Sequence, residues 1–565
     1  MSEVCAKGAT MDVNLRIAGE AGQGVLTTGE LLVATLADMG LHVFSTQVYM
    51  SRVRGGLNSF DIRFGEEELF SGRRQADILV ALTKEALDAL GGDVREGGVV
   101  FFDGDAKGGA VGITFTQTAK EVAGSAIMAN TVAAGAVFHC LGYDVKNLES
   151  YLAVAFKKKD KETIEKNVKC ARRGAELAAA AEAARLAAPK GVGAPKTVYN
   201  GSEAVGLAAA TAGVKFVASY PMTPSTGVFT YLAGAADKYG VVVEQAEDEI
   251  AAINMVCGAT YAGVPAMATT SGGGFALMTE GLSLSGMLEL PVFIFLSQRP
   301  APATGLPTRT GQEDLKFAIN AGHGDFARAV FAPGTLEEAY ALTRRGLGTA
   351  HKWQSPVILL GDQFLVDIRK NIPVLPDQYN PIDRHIVEGA GEDYLRYEVT
   401  ESGVSPRAIP GGNAFVVLDS DEHTEDGHIT EDLEARVRLQ DKRLRKGEGL
   451  AREALAPTYY GAPRAEEILV SWGSTYGPSR EAVDRLRGQG RSVGMLHFAQ
   501  VWPVNVEAAH ERLRDAKRVI DIEGNATGQF AGILRQLGVI GGCGLMLKYN
   551  GLPFTGEEIA EGVAR

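Results

Sequence analysis

The chain has 565 residues, 45 % of them apolar and 22 % charged, with a formal net charge of −13. That length and composition fit several globular domains, at roughly 100–200 residues each, and exclude a disordered chain. The acidic balance opposes nonspecific binding to DNA or RNA.

In chain order, VNLRIAG (13–19) reads as a short buried strand and residues 22–40 as the helix that follows. HVFSTQ, SFDIRFG, ADILVALT and VVFFDG (99–104) supply further strands, and NTVAAGAVFHCLG (130–142) has helical apolar spacing. Strands alternating with helices predict a mostly parallel α/β domain. Residues 174–198 begin Ala-rich, as a helix, and end Gly/Pro-rich, as a linker. A second α/β region starts near Tyr199. Its strands are VKFVASY (214–220), VVVE (241–244), VPAMATT (264–270) and LPVFIFLSQRP, with helices over SEAVGLAAATAG, Glu247–Ala262 and the stretch after Gly272. Residues 372–460 are rich in proline, glycine and charge, and suit a solvated connector or an excursion packed over another surface. A third α/β unit begins near Ala465, with strands in EEILVSWGS, RSVGMLHF and KRVIDIE and helices between them.

The five cysteines, Cys5, Cys140, Cys170, Cys257 and Cys543, are far apart and form no CxxC pair. Such spacing opposes an iron–sulfur cluster held by this chain alone, and equally a disulfide scaffold. A reducing, cytoplasmic compartment is expected. The opening residues lack a basic start and a long apolar run, so no secretory signal is expected. No stretch approaches the ~20 uninterrupted apolar residues of a membrane span.

Six segments are candidates for chemistry. GEAGQG places Gly19, Gly22 and Gly24 after a strand, in G-x-x-G-x-G spacing and not the dinucleotide fingerprint. A ligand- or partner-facing turn and a purely structural turn both fit it. SRVRGG adds Arg52 and Arg54 beside two glycines, suited to a phosphate, a carboxylate or rim salt bridges. In YPMTPSTG (Tyr220–Gly227), Pro221 and Pro224 restrict the backbone around Thr223 at a strand end, where a hydroxyl can meet a small carboxylate or carbonyl; Ser225 and Thr226 compete for the job of capping the next helix. Glu244, Glu247, Asp248 and Glu249 cluster at a helix start. Charge compensation explains some of them, and one turned inward can share a proton with an aromatic nitrogen. TSGGG (Gly272, Gly273, Gly274) permits close backbone approach before a helix. SQRPAPATGLPTRTGQEDL sets Arg299, Thr304, Thr308, Arg309 and Gln312 in a rigid polar loop beyond a buried strand. His423 and His428 in the acidic stretch 421–432 have irregular spacing, and an exposed, partner-facing segment is expected there in preference to a metal site.

Taken together, these segments resemble the 2-oxoacid:ferredoxin oxidoreductases, in the form of a fused gamma–alpha subunit. YPMTPSTG is similar to the family's YPITPS-type segment, EDEIAAINMVCGATYAG to the pyrimidine-domain helix of thiamine-dependent enzymes, TSGGG to its TSGPG-type loop, and RPAPATGLPTRTGQEDL to its substrate-loop motif. GEAGQG and SRVRGG resemble the gamma domain; SWGST and EGNATGQF resemble a transketolase C-terminal-like domain. The resemblance covers nearly the whole chain. It implies a multidomain α/β fold: a Rossmann-like gamma domain over 1–190, a pyrimidine-binding domain over 191–372, the connector or excursion over 373–460, and the transketolase C-terminal-like domain over 461–565.

It further implies thiamine diphosphate shared with a beta subunit that holds the diphosphate, Mg2+ and a 4Fe–4S cluster. Coenzyme A would be co-substrate and ferredoxin the electron acceptor, in a dimer of alpha–beta pairs with no nucleic acid, no membrane and no metal held by this chain. Glu249 would be the catalytic acid facing the pyrimidine. Tyr220, Pro221, Gly272 and Gly273 would line the cofactor with it, and Thr223, Arg299 and Thr308 would line the substrate pocket. Arg299 paired with a distal carboxylate would favour 2-oxoglutarate. Pro300, Ala301 and Ala303 replace the family's usual Gly, Gly and Ser, and so leave pyruvate and branched or aromatic 2-oxoacids as alternatives. A thiamine enzyme without electron transfer and a noncatalytic acyl- or nucleotide-binding protein are the competing classes.

Overall fold

A computed structural model describes residues 11–51, 55–157 and 160–565, and the chain forms two compact units. Arg52, Arg54 and Cys5 lie outside the described residues. The first unit is built from the described residues up to Tyr199 together with Asp367–Val374 and Thr555–Glu557; the second holds Asn200–Val366, Leu375–Phe554 and Glu558–Arg565.

The first unit is organised by an eight-stranded sheet in the order Val111–Gly112, Val94–Phe102, Ala76–Ala81, Asp12–Glu20, Leu57–Gly65, His42–Val48, Arg369–Asn371 and Val198–Asn200. It is mixed, not mostly parallel. Leu57–Gly65 runs antiparallel to both Asp12–Glu20 and His42–Val48. The short 49–56 connection explains the second pairing, because a parallel crossover needs about a dozen residues or more. Helix Val25–Asp38 packs on the sheet, and Ala129–Cys140 and Lys161–Ala180 share its core. The last two meet at reciprocal glycines. A methyl group on Gly135 would overlap the Ala171 carbonyl, and one on Gly174 the Val132 carbonyl, so the backbones approach only because both positions lack a side chain. Helix Lys161–Ala180 starts well before the Ala-rich stretch that signals it, and residues 183–197 carry no helix or strand.

The second unit contains two sheets. Seven strands run in the order Gln500–Trp502, Ala329–Phe331, Val357–Asp362, Phe293–Gln298, Ala266–Thr270, Phe216–Ser219 and Val242–Gln245. All neighbours are parallel except the first pair. The central strands are buried along their whole length and start as apolar runs that turn polar only at their carboxyl ends, as expected where helices cover both faces and a site lies at that edge. The second sheet orders Thr458–Gly461, Val493–Phe498, Glu467–Trp472, Arg518–Glu523 and Gly544–Leu547. Gln500–Trp502 follows directly on Val493–Phe498 and pairs with Ala329–Phe331 in the other sheet, and one core runs from Ile294 and Leu296 to Trp472 and Phe530.

Residues 375–432 are mostly irregular, and helix Leu433–Arg452 follows them. This stretch is anchored to the second unit. Lys442 Nζ donates to both oxygens of the fully buried Glu289 at 2.7 and 2.9 Å, Lys446 pairs with the same carboxylate, and Arg396 donates to the Leu288 and Glu289 carbonyls. His423, expected to be exposed, is buried and stacks on Tyr397 at 3.8 Å; His428 is exposed. The ring buries because its aromatic face has a partner and its Nδ1 has the Asp421 carbonyl at 3.0 Å.

Candidate active site

Four neighbouring parallel strands of the seven-stranded sheet end on the same edge, and each leads into one of the motif segments. Phe216–Ser219 leads into Tyr220–Gly227, Val242–Gln245 into the acidic cluster, Ala266–Thr270 into the glycine stretch, and Phe293–Gln298 into Arg299. The carboxyl edge of an open parallel sheet is where ligands are held.

Glu249 is the first residue of helix Glu249–Tyr261. Asp248 takes the capping role, accepting the Ala251 amide at 2.7 Å, and Glu244 and Glu247 are exposed. Glu249 is therefore the member of the cluster that turns inward. It is 3 % exposed, and its Oε1 has no hydrogen-bond partner. Burial pushes its carboxyl above the ordinary range, and the charge of Asp248 adds to the shift. The carboxyl lies against Gly274 so closely that a Cβ there would overlap Glu249 Oε1 and Thr270 Oγ1. The three glycines form the first turn of helix Gly272–Leu277, whose preceding Ser271 has a buried hydroxyl without a partner. Gly273 is exposed and Gly272 half-buried.

Tyr220 and Pro221 are exposed, and Thr223 is half-buried. Ser225 does not cap its helix; its hydroxyl donates to the Met222 carbonyl at 2.8 Å, and no side-chain bond caps Thr226–Gly234. Arg299 is 8 % exposed and donates from Nη1 to the Thr223 carbonyl at 2.6 Å. Two of the expected substrate residues thus meet directly. Thr308 is half-buried and Thr304 exposed in the loop that follows. Burial lowers the guanidinium's proton affinity, and Asp314 opposes that shift.

Sequence reasoning missed Asp314, although it stands in the QEDL end of the Arg299 motif. The residue is 7 % exposed, its Oδ2 has no hydrogen-bond partner, and its carboxyl packs on Gly272, where an added Cβ would lie 2.5 and 2.7 Å from the two oxygens. Gln312, expected on the substrate rim, instead rivets the loop to the five-stranded sheet. Its amide donates to the Gly524 carbonyl at 2.7 Å and its Nε2 to the Trp472 carbonyl at 2.9 Å; it accepts from the Gly524 amide at 2.8 Å. GEAGQG lies in the first unit and lines a cavity of ≈ 560 Å³ with Gln47, Tyr49 and Asn58. Gly24, at φ 76°, starts helix Val25–Asp38 there. A separate cavity of ≈ 400 Å³ in the second unit contains none of the motif residues, and its Arg436 and Arg443 already pair with Glu422.

Three protein-family models match the chain in succession. These are pyruvate ferredoxin/flavodoxin oxidoreductase over residues 14–177, pyruvate flavodoxin/ferredoxin oxidoreductase, thiamine diphosphate-binding, over 207–442, and pyruvate:ferredoxin oxidoreductase core domain II over 465–536. The alpha subunit of 2-oxoacid:ferredoxin oxidoreductase 2 from Aeropyrum pernix is 30 % identical, with 98 % of each chain covered. The chain belongs to the 2-oxoacid:ferredoxin oxidoreductase family.

A solved 2-oxoglutarate:ferredoxin oxidoreductase from Magnetococcus marinus, with 2-oxoglutarate, coenzyme A and succinyl-CoA bound, matches at a TM-score of 0.92 and 33 % identity, over 98 % of this chain and 99 % of that one. A 2-oxoglutarate oxidoreductase subunit from Mycobacterium tuberculosis is 28 % identical over 97 % of this chain and 90 % of its own. This 2-oxoacid:ferredoxin oxidoreductase chain is a fused, multidomain α/β subunit of the alpha type, and its enzyme is thiamine diphosphate-dependent. The family, fold class and enzyme class expected from the sequence are borne out, and a noncatalytic binding protein is set aside. Among the described residues no helix is long and apolar enough to cross a membrane, and no three His, Cys, Asp or Glu side chains cluster as metal ligands.

Proposed function

We propose that this chain supplies the pyrimidine-facing half of a thiamine diphosphate site, in an enzyme that oxidatively decarboxylates 2-oxoglutarate. The balanced reaction takes 2-oxoglutarate, coenzyme A and two oxidised ferredoxins to succinyl-CoA, CO2, two reduced ferredoxins and a proton. The observation that carries the reading is the unpartnered, buried oxygen of Glu249 over Gly274. An orphaned buried carboxyl is costly unless a ligand completes it, and its raised proton affinity suits sharing a proton with a ring nitrogen. The residues fit the group. Glu249 would hold the proton at the pyrimidine edge, Gly272 and Gly273 would let the ring approach the backbone, and Tyr220 and Pro221 would close one side.

Thiamine diphosphate held there would supply a nucleophile for the 2-keto carbon and an electron sink for decarboxylation. Arg299, fixed by the Thr223 carbonyl, would hold a substrate carboxylate, with the Thr223 and Thr308 hydroxyls beside it. The Magnetococcus marinus relative with 2-oxoglutarate, coenzyme A and succinyl-CoA bound supports this substrate class. Pro300, Ala301 and Ala303 reshape the loop after Arg299, and a pyruvate or branched-chain preference is the second reading.

The remaining half would come from a beta subunit holding the diphosphate, Mg2+ and a 4Fe–4S cluster, in a dimer of alpha–beta pairs. Exposed Ile250, Met255, Leu277 and Leu306 on the motif segments are apolar surface of the kind a partner covers. The gamma, pyrimidine, excursion and transketolase C-terminal-like boundaries at 190, 372 and 460 are retained as the domain reading, and a cytoplasmic location goes with it. In the reconstituted complex, Glu249→Gln is expected to lower kcat by about 10²–10⁴-fold, the usual worth of a positioned acid–base group. Undiminished turnover would remove Glu249 from this role. A panel of 2-oxoacids decides the substrate, and equal kcat/KM for pyruvate and 2-oxoglutarate would refute the preference.

A further inference from the structure

We infer that Asp314 is a positioning residue whose protonation state sets the charge that Arg299 offers to the substrate carboxylate. The inference rests on the assignment of Arg299 to the substrate.

Geometry carries it. The Asp314 backbone is fixed from two sides: its amide donates to Gln298 Oε1 at 3.0 Å, and its carbonyl accepts the Ala318 amide at 2.7 Å. Gln298 is itself held through Nε2 by the Gly361 carbonyl at 3.1 Å. The carboxyl is thus confined against Gly272, buried, with Oδ2 unpartnered. It acts electrostatically on Arg299, the residue after Gln298, yet no ion pair closes between them within 4 Å among the described residues. A salt bridge would neutralise Arg299 permanently. A nearby carboxyl without one can do so conditionally, by losing its proton.

The charged surroundings favour the neutral form. Burial, and next the charge of Glu313, push the Asp314 carboxyl up to about 6, while Arg299 pulls it down. Glu313 accepts the Ala301 amide at 2.7 Å. Glu249 stands at Gly274 on the same short helix that Asp314 touches through Gly272. Lys316 reaches away toward Gly532, so it does not compensate Asp314. Asp362, paired in register with Gln298 and also raised to about 6, is engaged with the Ser474 hydroxyl and the Leu365 amide.

The sign follows. Below its pKa Asp314 is neutral, and Arg299 presents a full positive charge to the substrate. Above it, an added negative charge opposes a 2-oxoacid whose carboxylates are already ionised, their ordinary values lying near or below ~4. Affinity therefore falls as pH rises, and substrate binding takes up a proton.

The test is calorimetric titration of 2-oxoglutarate into the assembled complex freed of thiamine diphosphate, so that no turnover intervenes. It is run from about pH 5.5 to about pH 8, in buffers of different ionisation enthalpy. The wild type is expected to lose about tenfold in affinity across that range, the equivalent of one pKa unit of interaction, and to take up a proton on binding. Asp314→Asn is expected to bind at pH 8 as tightly as the wild type at low pH, with no proton uptake. A pH-independent wild type, or an Asp314→Asn complex that keeps the wild-type slope and uptake, would overturn the inference. Titration through Asp362 would give that second result. Arg299→Gln separates the two readings. If it leaves affinity unchanged, the assignment of Arg299 fails; if it weakens binding while Asp314→Asn still follows the wild-type pH profile, only the role of Asp314 fails.

Discussion

Glu249, Ser271 and Asp314 each bury a side-chain oxygen that finds no partner, and all three border the glycines at 272–274. Folding alone gives no return for such groups, because each forfeits its hydration. The glycines make the arrangement sterically possible. At Gly274 the constraint is space: its φ is not in the left-handed region, and the missing methyl is the volume that the Glu249 carboxyl and Thr270 hydroxyl occupy. Gly274→Ala is expected to push that carboxyl aside by a fraction of an ångström to an ångström. A displacement of that size costs about 10²-fold in rate where reacting groups must be aligned. The measurement is kcat in the complex alongside the dissociation constant of thiamine diphosphate. Wild-type values of both would show that the carboxyl's placement over Gly274 is irrelevant to the cofactor.

Element-scale features divide into those legible in the sequence and those set by distant partners. The central strands of the seven-stranded sheet were readable because burial on both faces makes their first residues a continuous apolar run, and the four motifs follow at the polar carboxyl ends of parallel strands. The antiparallel pairing of His42–Val48 with Leu57–Gly65 was missed because alternation of apolar residues reports burial and not strand direction; the short connection between the two strands is the signal that gives it. Helix Lys161–Ala180 hid behind a polar first half, and the burial of His423 depends on Tyr397, which lies far away in sequence. The anchoring of helix Leu433–Arg452 was equally invisible, since Lys442 and Lys446 look like surface charges until Glu289 is placed beneath them. Against the upward push of burial, Lys442, Lys446 and Arg396 hold the Glu289 carboxyl well below its usual range. Glu289→Gln would leave two buried ammonium groups uncompensated and is expected to cost about 3–5 kcal/mol. The readout is a lower unfolding midpoint with new proteolytic cleavage between residues 375 and 432. Unchanged stability and cleavage would mean that the excursion is held by its apolar contacts alone.

At the scale of the whole molecule, three family segments share one chain, and among the described residues no three His, Cys, Asp or Glu side chains cluster as metal ligands. Among the described residues the four cysteines are free. Burial pushes the thiols of Cys140 and Cys170 up to about 11 and that of Cys257 up to about 12, and it also raises Cys543. Iron–sulfur ligands must be thiolates, and these thiols are disfavoured as thiolates as well as far apart in sequence. Glu249 and Arg299 lie on segments carrying exposed apolar side chains, and under the proposed function a partner would cover them. The isolated chain is therefore expected to be colourless as purified. It should leave a low-potential dye oxidised when given thiamine diphosphate, Mg2+, coenzyme A and 2-oxoglutarate. Adding the purified beta subunit should bring iron–sulfur absorbance and dye reduction together, with stoichiometric release of CO2. Dye reduction by the isolated chain would refute the division of labour. CO2 release in a complex lacking iron–sulfur absorbance would point to decarboxylation without electron transfer.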